Sequence, residues 1–511
     1  MEAQAAVAGR ALVFVGFMGA GKTTAARAAA RALGGRAIDA DDAIERHIGG
    51  RIEDFFAQHG EPAFRAIEEQ VVCELLDAPP APVLSLGGGA AGSERVRSAL
   101  ARHTVVLLDV DTDTAWRRAG GRRPLARDRE RFAALHAARR PLYERIADVV
   151  LTDSSRDVVR RAVPAMAALP PGARMLWARS ASGDYPVYVG RGALGAAPRP
   201  RGGRAYLVTD ETVGPLYGDA VGGVAGRIAI PPGEAAKTWE RAGSVLRRLA
   251  AAGMGHDDHV LALGGGVVGD LAGFCAATYQ RGVPVVQLPT TLVAQVDSAY
   301  GGKTGVDLPE GKNYAGAYHQ PAAVLADPAT LETLPPEELA AGWAEVIKTA
   351  LIAGGPLWER VRDPGATVDA DLLLACARTK LAVVEADERD EGRRQVLNLG
   401  HTVGHAIETA TGYARYRHGE AVALGLLAAL TLSGQPVLRA EVAALLAAHG
   451  LPTTLDPTVD HDAVLAAVQG DKKRRGDRVG FVLVAAPGDV RTGRAVAPDA
   501  VGRALGELAP A

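Results

Sequence analysis

With 511 residues, 48% apolar and 23% charged side chains and a net charge of −2, the sequence is that of a globular protein with roughly two to four domains. Nothing in the even mixture of acids and bases argues for a nucleic-acid footprint or an anionic-membrane partner, and no apolar run reaches the roughly 18 residues of a membrane helix. Three isolated cysteines, Cys73, Cys275 and Cys376, argue against a disulfide framework or a Cys-rich zinc site. MEAQAAVAGR carries no apolar signal core, so a reducing cytoplasm is the expectation.

In chain order, ALVFV (Ala11–Val15), VLSLG (Val83–Gly87) and TVVLLDV (Thr104–Val110) read as buried strands. Residues 22–33, 61–77 and 129–147 read as helices. This alternation predicts a parallel sheet with helices on both faces. A Pro/Gly break, ALPPGA, places a linker at 167–174 after a domain at 1–166. A second α/β section at 175–335 has strands in YPVYVG, AYLVTD, HVLALGGG and VPVVQLPTT. The remainder, 336–511, reads as mainly helical, with one or two short strands in FVLVAAPGDV. There is no internal repeat.

The first strand runs into GFMGAGKTT (Gly16–Thr24). Glycines at 16, 19 and 21 let the backbone bend and bring its N–H groups to phosphate oxygens. Gly19, Ala20, Gly21, Lys22, Thr23 and Thr24 form the nucleoside triphosphate set. Lys22 would reach the outer phosphates and Thr23 would ligate magnesium. Asp39 and Asp41 after RAID have two readings: a metal-supporting and proton-accepting pair, or a helix N-cap with solvated acids. Arg65, the triple glycine 87–89 and Arg139 are each ambiguous alone, since a lone helical arginine is usually solvated.

Together, in order and at this spacing, residues 10–165 resemble the shikimate kinase family. The resemblance implies ATP with Mg2+. It implies shikimate held by Asp41, Arg65, Gly88 and Arg139, the two arginines forking its carboxylate. Asp41 would act as base and Asp39 would support magnesium. Arg123 in RRPLA matches the lid arginine, with its neighbour Arg122 as the alternative in a short lid. Arg156 falls at the adenine side.

In the second section GGGVVGD is weak by itself, because Gly-rich turns after strands are common. The downstream group is stronger. Glu345 lies in GWAEVIKTA, His401 and His405 in NLGHTVGHAIE, and His418 opens HGEAV. A carboxylate with histidines suits Zn2+ or a similar ion. Spacing alone favours the i, i+4 pair His401/His405 as ligands. Arg281, Lys303, Lys312, Lys348, Lys380 and Arg394 add positive charge, with Asn313 next to Lys312, and Lys303 and Lys312 lie in Gly-rich stretches that read as loops for a phosphorylated, carboxylated substrate.

PGEAAKT, GGGVVGDLAGF, YQRGVPVVQLPTTLVAQVDSAYGGKTGVDL, GKN, AEVIK, NLGHTVGHAIE and HGE closely resemble the 3-dehydroquinate synthase family over roughly 180–495. The resemblance implies a divalent ion, Zn2+ or Co2+, on Glu345, His401 and His418, which makes His405 a hydrogen-bonding group instead of a ligand. It implies NAD on Asp210, Glu234, Lys237, Gly265, Gly266, Val267, Asp270, Thr290, Thr291 and Lys312. Substrate would meet Asp297, Lys303, Asn313, Lys380, Arg394, Asn398 and His405. Lys303, His405, Arg394 and Asn398 would take part in catalysis. Arg281 matches an arginine that reaches a second subunit, which implies a homodimer. Either Asp390 or Glu391 serves the site, and Lys472 or Lys473 closes over it. The family converts a heptulosonate phosphate to 3-dehydroquinate with no net redox change. The rival readings are a sister sugar-phosphate cyclase, a front section that only gates as a nucleotide-binding module, and a metal alcohol dehydrogenase on the same scaffold.

Overall fold

The computed structural model describes residues 10–77, 83–120, 128–363, 365–469 and 480–510. Two units divide the chain, Met1–Trp177 and Ala178–Ala511. The division falls inside a strand, just past the expected linker. The helix Arg156–Ala167 ends at the start of that linker, and the buried run MLWA from Met175 draws its last residue into the strand Arg174–Ser180.

In the first unit, β1 (Leu12–Val15), β2 (Ala37–Asp39), β3 (Val83–Ser85), β4 (Thr104–Leu108), β5 (Val149–Leu151) and β6 (Arg174–Ser180) are ordered β2-β3-β1-β4-β5-β6. Every resolved pairing among them is parallel. Parallel strands need crossovers, and α1 (Lys22–Ala32), α2 (Ala40–Ile48), α3 (Ile52–Asp77), α4 (Glu94–Leu100), α5 (Thr112–Ala119), α6 (Arg129–Ile146) and α7 (Arg156–Ala167) supply them. α3 is two segments joined at Gly60, whose φ of 77° and ψ of 174° break the helix just before Pro62.

The second unit repeats the logic. β7 (Gly183–Val189), β8 (Ala205–Asp210), β9 (Val224–Ile230), β10 (His259–Gly264), β11 (Val285–Pro289) and β14 (Ala323–Ala326) are ordered β7-β14-β11-β10-β8-β9, all parallel. α8 (Val213–Tyr217), α9 (Trp239–Ala251) and α10 (Gly266–Thr278) connect them. Lys303–Leu308 (β12) and Gly311–Tyr318 (β13) form an antiparallel hairpin where loops were expected. The glycines that suggested loops serve the pairing, since Gly305 stands opposite Gly316 and a Cβ on Gly316 would lie 2.5 Å from the Thr304 carbonyl oxygen.

The helical remainder comprises α11 (Pro336–Ala353), α12 (Gly355–Val361), α13 (Ala370–Ala386), α14 (His401–Ala410), α15 (His418–Leu432), α16 (Pro436–Ala448), α17 (His461–Gln469) and α18 (Pro498–Gly506), with the hairpin β15 (Gly480–Ala486) and β16 (Asp489–Ala495). α15 carries an almost wholly apolar sequence, buried along most of its length. Among the described residues no helix is long and apolar enough to cross a membrane.

Candidate functional site

In the first unit, Gly16, Gly19 and Gly21 all have positive φ, and Gly21 caps α1. The loop is tightly enclosed: a Cβ on Gly19 would sit 2.2 Å from the Ala115 carbonyl oxygen. Lys22 is half-buried at the helix start and donates to the Phe17 carbonyl across the loop (3.1 Å). Ala20 is buried beneath the loop, and Thr24 is exposed. Thr23 Oγ1 donates to Asp39 Oδ2 (2.5 Å), which joins the two residues expected at magnesium.

The helix-cap reading of the aspartates is met, and the second Asp39 oxygen stays turned toward the P-loop. Asp39 Oδ1 accepts the Asp41 N–H (3.0 Å) as a helix cap, while Oδ2 faces Thr23 and the Ser85 hydroxyl.

A cavity of about 520 Å³ is lined by Arg65, Glu68, Gly88, Ser93, Arg139 and Tyr143 among others. Arg139 donates to the Gly88 carbonyl (3.2 Å), as does the Tyr143 hydroxyl. Arg65 pairs with Glu61 and with the buried Glu68. Its guanidinium lies where a Cβ on Gly89 would be, and Asp41 Oδ1 is 3.0 Å from the Cβ position of Gly87. The triple glycine thus leaves room for both side chains. Burial raises the Glu68 carboxyl above its ordinary range, although Arg65 opposes it.

The sequence reading passed over Glu68, Tyr143 and Arg118, whose Nη1 donates to Ser154 Oγ beside Gly21 (2.7 Å). The i, i+3 relation to Arg65 is a signal for Glu68. Arg156 is exposed at the start of α7. Arg123 and Arg122 lie outside the described residues, as do Lys472 and Lys473.

In the second unit, the expected dinucleotide residues gather at the carboxyl ends of parallel strands, where open α/β sheets bind ligands. Asp210 ends β8 and accepts the N–H groups of Thr212 and Val213. Gly265 caps α10, with Gly266, Val267 and Asp270 in its first turns. Thr290 and Thr291 follow β11, and the Thr290 hydroxyl is buried without a hydrogen bond. Lys237 Nζ lies 2.9 Å from Glu234 and 3.4 Å from Asp270. Burial raises the Asp270 carboxyl to about 6 despite Lys237. Lys312, on β13, is 3.6 Å from Glu234.

Close packing of glycines brings the cation group together. Glu345 on α11 is fully buried, and its Oε1 lies 3.5 Å from Nε2 of both His401 and His418. A Cβ on Gly419 would sit 2.1 Å from the Ala341 carbonyl oxygen, and one on Gly425 would sit 1.9 Å from that of Gly400. Only glycine permits those helix approaches. His401 Nδ1 faces the Leu399 carbonyl (3.1 Å). That oxygen only accepts, so Nδ1 carries the proton and Nε2 turns a lone pair toward Glu345. Lys348 is ion-paired to Oε2 of Glu345, while the buried Oε1 makes no hydrogen bond. A lone pair and an anion converging this way fit a divalent cation between them.

The i, i+4 expectation is not met. His405 is exposed and groups with Glu408 and His418, whereas His401 groups with Glu345 and His418. His401 and His405 are one turn apart on α14 with rings 5.2 Å apart, yet they do not fall in one group of converging ligand atoms.

Asp297 pairs with Lys380 (3.0 Å) and lies 3.8 Å from the buried Lys348. Lys303 pairs with Asp390, whereas Glu391 is exposed and its backbone N–H donates to Asp387. Arg394 is buried and donates to the carbonyls of Glu388 and Gly301. Asn398 ends the short turn leading to His401. Asn313, with a φ of 54°, donates its N–H to Asp307 (2.7 Å). Arg281 is exposed, at a φ of 70°. Glu408 and Asp307 escaped the sequence reading.

Residues 227–341 match the family model for the 3-dehydroquinate synthase N-terminal region and 342–474 that for its C-terminal region. A 3-dehydroquinate synthase from Symbiobacterium thermophilum is 44% identical over 345 residues, covering 62% of this chain and 96% of the relative. The chain belongs to the 3-dehydroquinate synthase family. Another synthase, from Halorhodospira halophila, is 43% identical over 348 residues, covering 64% of this chain and 98% of the relative. The front unit is a shikimate kinase domain, matched by the family model over 18–167.

The synthase region also resembles 2-deoxy-scyllo-inosose synthase complexed with carbaglucose-6-phosphate, NAD+ and Co2+ (25% identity, TM-score 0.59, 65% of this chain and 99% of that one). It resembles ValA, a 2-epi-5-epi-valiolone synthase from Streptomyces hygroscopicus subsp. jinggangensis, with NAD+ and Zn2+ bound (28% identity, TM-score 0.58, 63% and 96%).

Proposed function

We propose that this bifunctional enzyme phosphorylates the 3-hydroxyl of shikimate from Mg2+-ATP in its front unit and, in its back unit, converts 3-deoxy-arabino-heptulosonate 7-phosphate to 3-dehydroquinate and phosphate. The observation that carries the synthase reading is the buried Glu345 carboxylate, whose Oε1 faces Nε2 of both His401 and His418.

In the kinase unit, Lys22 and the backbone of Gly19–Thr24 cradle the phosphates, and Thr23 with Asp39 holds magnesium. Arg65 and Arg139 clamp the acceptor's carboxylate, which leaves Asp41 to take the hydroxyl proton. Arg156 borders the adenine.

In the synthase unit, Glu345, His401 and His418 would hold one divalent ion. Asp210, Glu234, Lys237, Gly265–Val267, Asp270, Thr290, Thr291 and Lys312 would hold NAD. When bound, the two supply polarisation of a substrate hydroxyl and a hydride acceptor that returns what it takes. Lys303, Lys380 and Arg394 set a positive field for the phosphate and carboxylate, with Asn313, Asn398 and His405 as polar contacts. Asp297 is held by Lys380, and Asp390 holds Lys303. The exposed Arg281 suits a contact in a homodimer. The two reactions share no intermediate, so neither unit needs to pass its product to the other.

Identity favours 3-dehydroquinate over a sister cyclase product, since the synthases match at 43–44% against 25–28% for the cyclases of other products. The test is His418→Ala in the full chain. Synthase turnover and bound metal are lost while shikimate-dependent ADP release persists, and mass spectrometry of the wild-type product gives 3-dehydroquinate. Retained synthase turnover in this variant, or a different carbocycle from the wild type, overturns the reading.

A further inference from the structure

We propose that Glu408 is a positioning residue that holds the His418 ring and the Lys312 ammonium together, and so ties the β12–β13 hairpin to the cation site. This rests on the placement of a cation at Glu345, His401 and His418. Glu408 lies on α14, two turns beyond His401 and one beyond His405, so all three share a face. It is 2% exposed. Its Oε1 lies 3.1 Å from Lys312 Nζ and 3.6 Å from His418 Nδ1, and its Oε2 is buried without a hydrogen bond.

The His418 ring therefore stands between two carboxylates. Nδ1 faces Glu408 and Nε2 faces Glu345 at 3.5 Å. Both carboxylates only accept, so it is the cation between Nε2 and Glu345 that leaves Nε2 to ligate and keeps the proton on the nitrogen turned to Glu408. A carboxylate behind a ligating histidine sets both tautomer and ring direction. The same oxygen anchors Lys312, which also lies over the Tyr413 ring (4.5 Å) and reaches toward Glu234. Lys312, Glu408 and His418 form a continuous run of polar contacts from the dinucleotide residues to the cation group. Glu408 could instead be a ligand of a second ion with His405 and His418, and the test separates the two roles.

The full chain is stripped of metal and titrated with Co2+, following its visible absorption; NAD affinity is measured alongside, and shikimate phosphorylation serves as a folding control. In Glu408→Gln, Co2+ affinity falls about 10–100-fold, NAD binding weakens, the stoichiometry stays at one ion per synthase unit, and kinase activity is unchanged. Glu408→Asp, which keeps the charge, falls between Gln and wild type. Wild-type Co2+ affinity in Glu408→Gln overturns the inference when His418→Ala binds weakly. Wild-type affinity in His418→Ala sinks the cation placement itself. Two ions per synthase unit in wild type, with one lost in Glu408→Gln, make Glu408 a ligand and also overturn the inference. Should Glu408→Gln not fold, an unchanged affinity in Glu408→Asp refutes it.

Discussion

Adding one methyl group to Gly425 should dismantle the cation site while leaving every proposed ligand in place. α15 crosses α14 so closely that a Cβ on Gly425 would stand 1.9 Å from the Gly400 carbonyl oxygen and 2.9 Å from the Gly404 nitrogen. Both contacts are backbone, so no side chain can swing aside. Real Cβ atoms essentially never come within 3.0 Å of such an atom, so the helices must part by at least about 1.1 Å. Gly400 immediately precedes His401 and His418 opens α15, so the displacement falls between two proposed ligands. Metal–ligand distances tolerate only about 0.2 Å, and a misplacement of about 1 Å costs on the order of 100-fold in rate. Overpacking of this size costs about 1–3 kcal/mol, which leaves the unit folded. Co2+ titration and the synthase rate of Gly425→Ala should both fall at least about 100-fold, with shikimate phosphorylation intact as an internal control. Wild-type Co2+ affinity in a folded Gly425→Ala protein would refute the idea that glycine-mediated helix approach builds the site.

The P-loop makes the mirror-image case. Gly19→Ala forces a Cβ to 2.2 Å from the Ala115 carbonyl at a φ of 81°, so the KM for ATP rises sharply or kinase activity disappears while the synthase rate holds. Asp390→Ala, which frees Lys303, should raise the synthase KM for substrate at least about 10-fold, and Glu391→Ala should not; steady-state kinetics of both variants checks this. Three backbone N–H groups, from Arg394, Glu391 and Gly392, hold the Asp387 carboxyl down to about 2 against an ordinary 3.8. A depressed carboxyl stabilises the fold above its unfolded value and loses that contribution as pH falls toward the folded one. Thermal melts of Asp387→Asn should therefore decline less steeply with acid between pH 3.8 and about 2 than wild type. Identical slopes would show that the loop carrying Asp390 and Arg394 does not depend on this anion.

The P-loop was legible because its chemistry is local. Gly16–Thr24 places phosphate-binding N–H groups, a lysine and a hydroxyl within one turn of backbone, and a strand and a helix of plain periodicity bracket it. The cation group was not legible from periodicity, since spacing pointed to His401/His405 while the helices pair His401 with Glu345 and His418. The resemblance supplied that set. The β12–β13 hairpin was hidden because glycine content reads as loop whether the glycines turn the chain or let two strands close.

By itself the sequence determined two α/β sections and a phosphate loop in the first, because strand runs, glycine positions and helix caps act over a few residues; the dinucleotide residues came from the resemblance. Only the tertiary structure decided which carboxylate meets which histidine, which acid holds Lys303, and that Glu408 stands behind His418. Those meetings depend on how closely α11, α14 and α15 approach, a distance set by contacts between residues far apart in the chain.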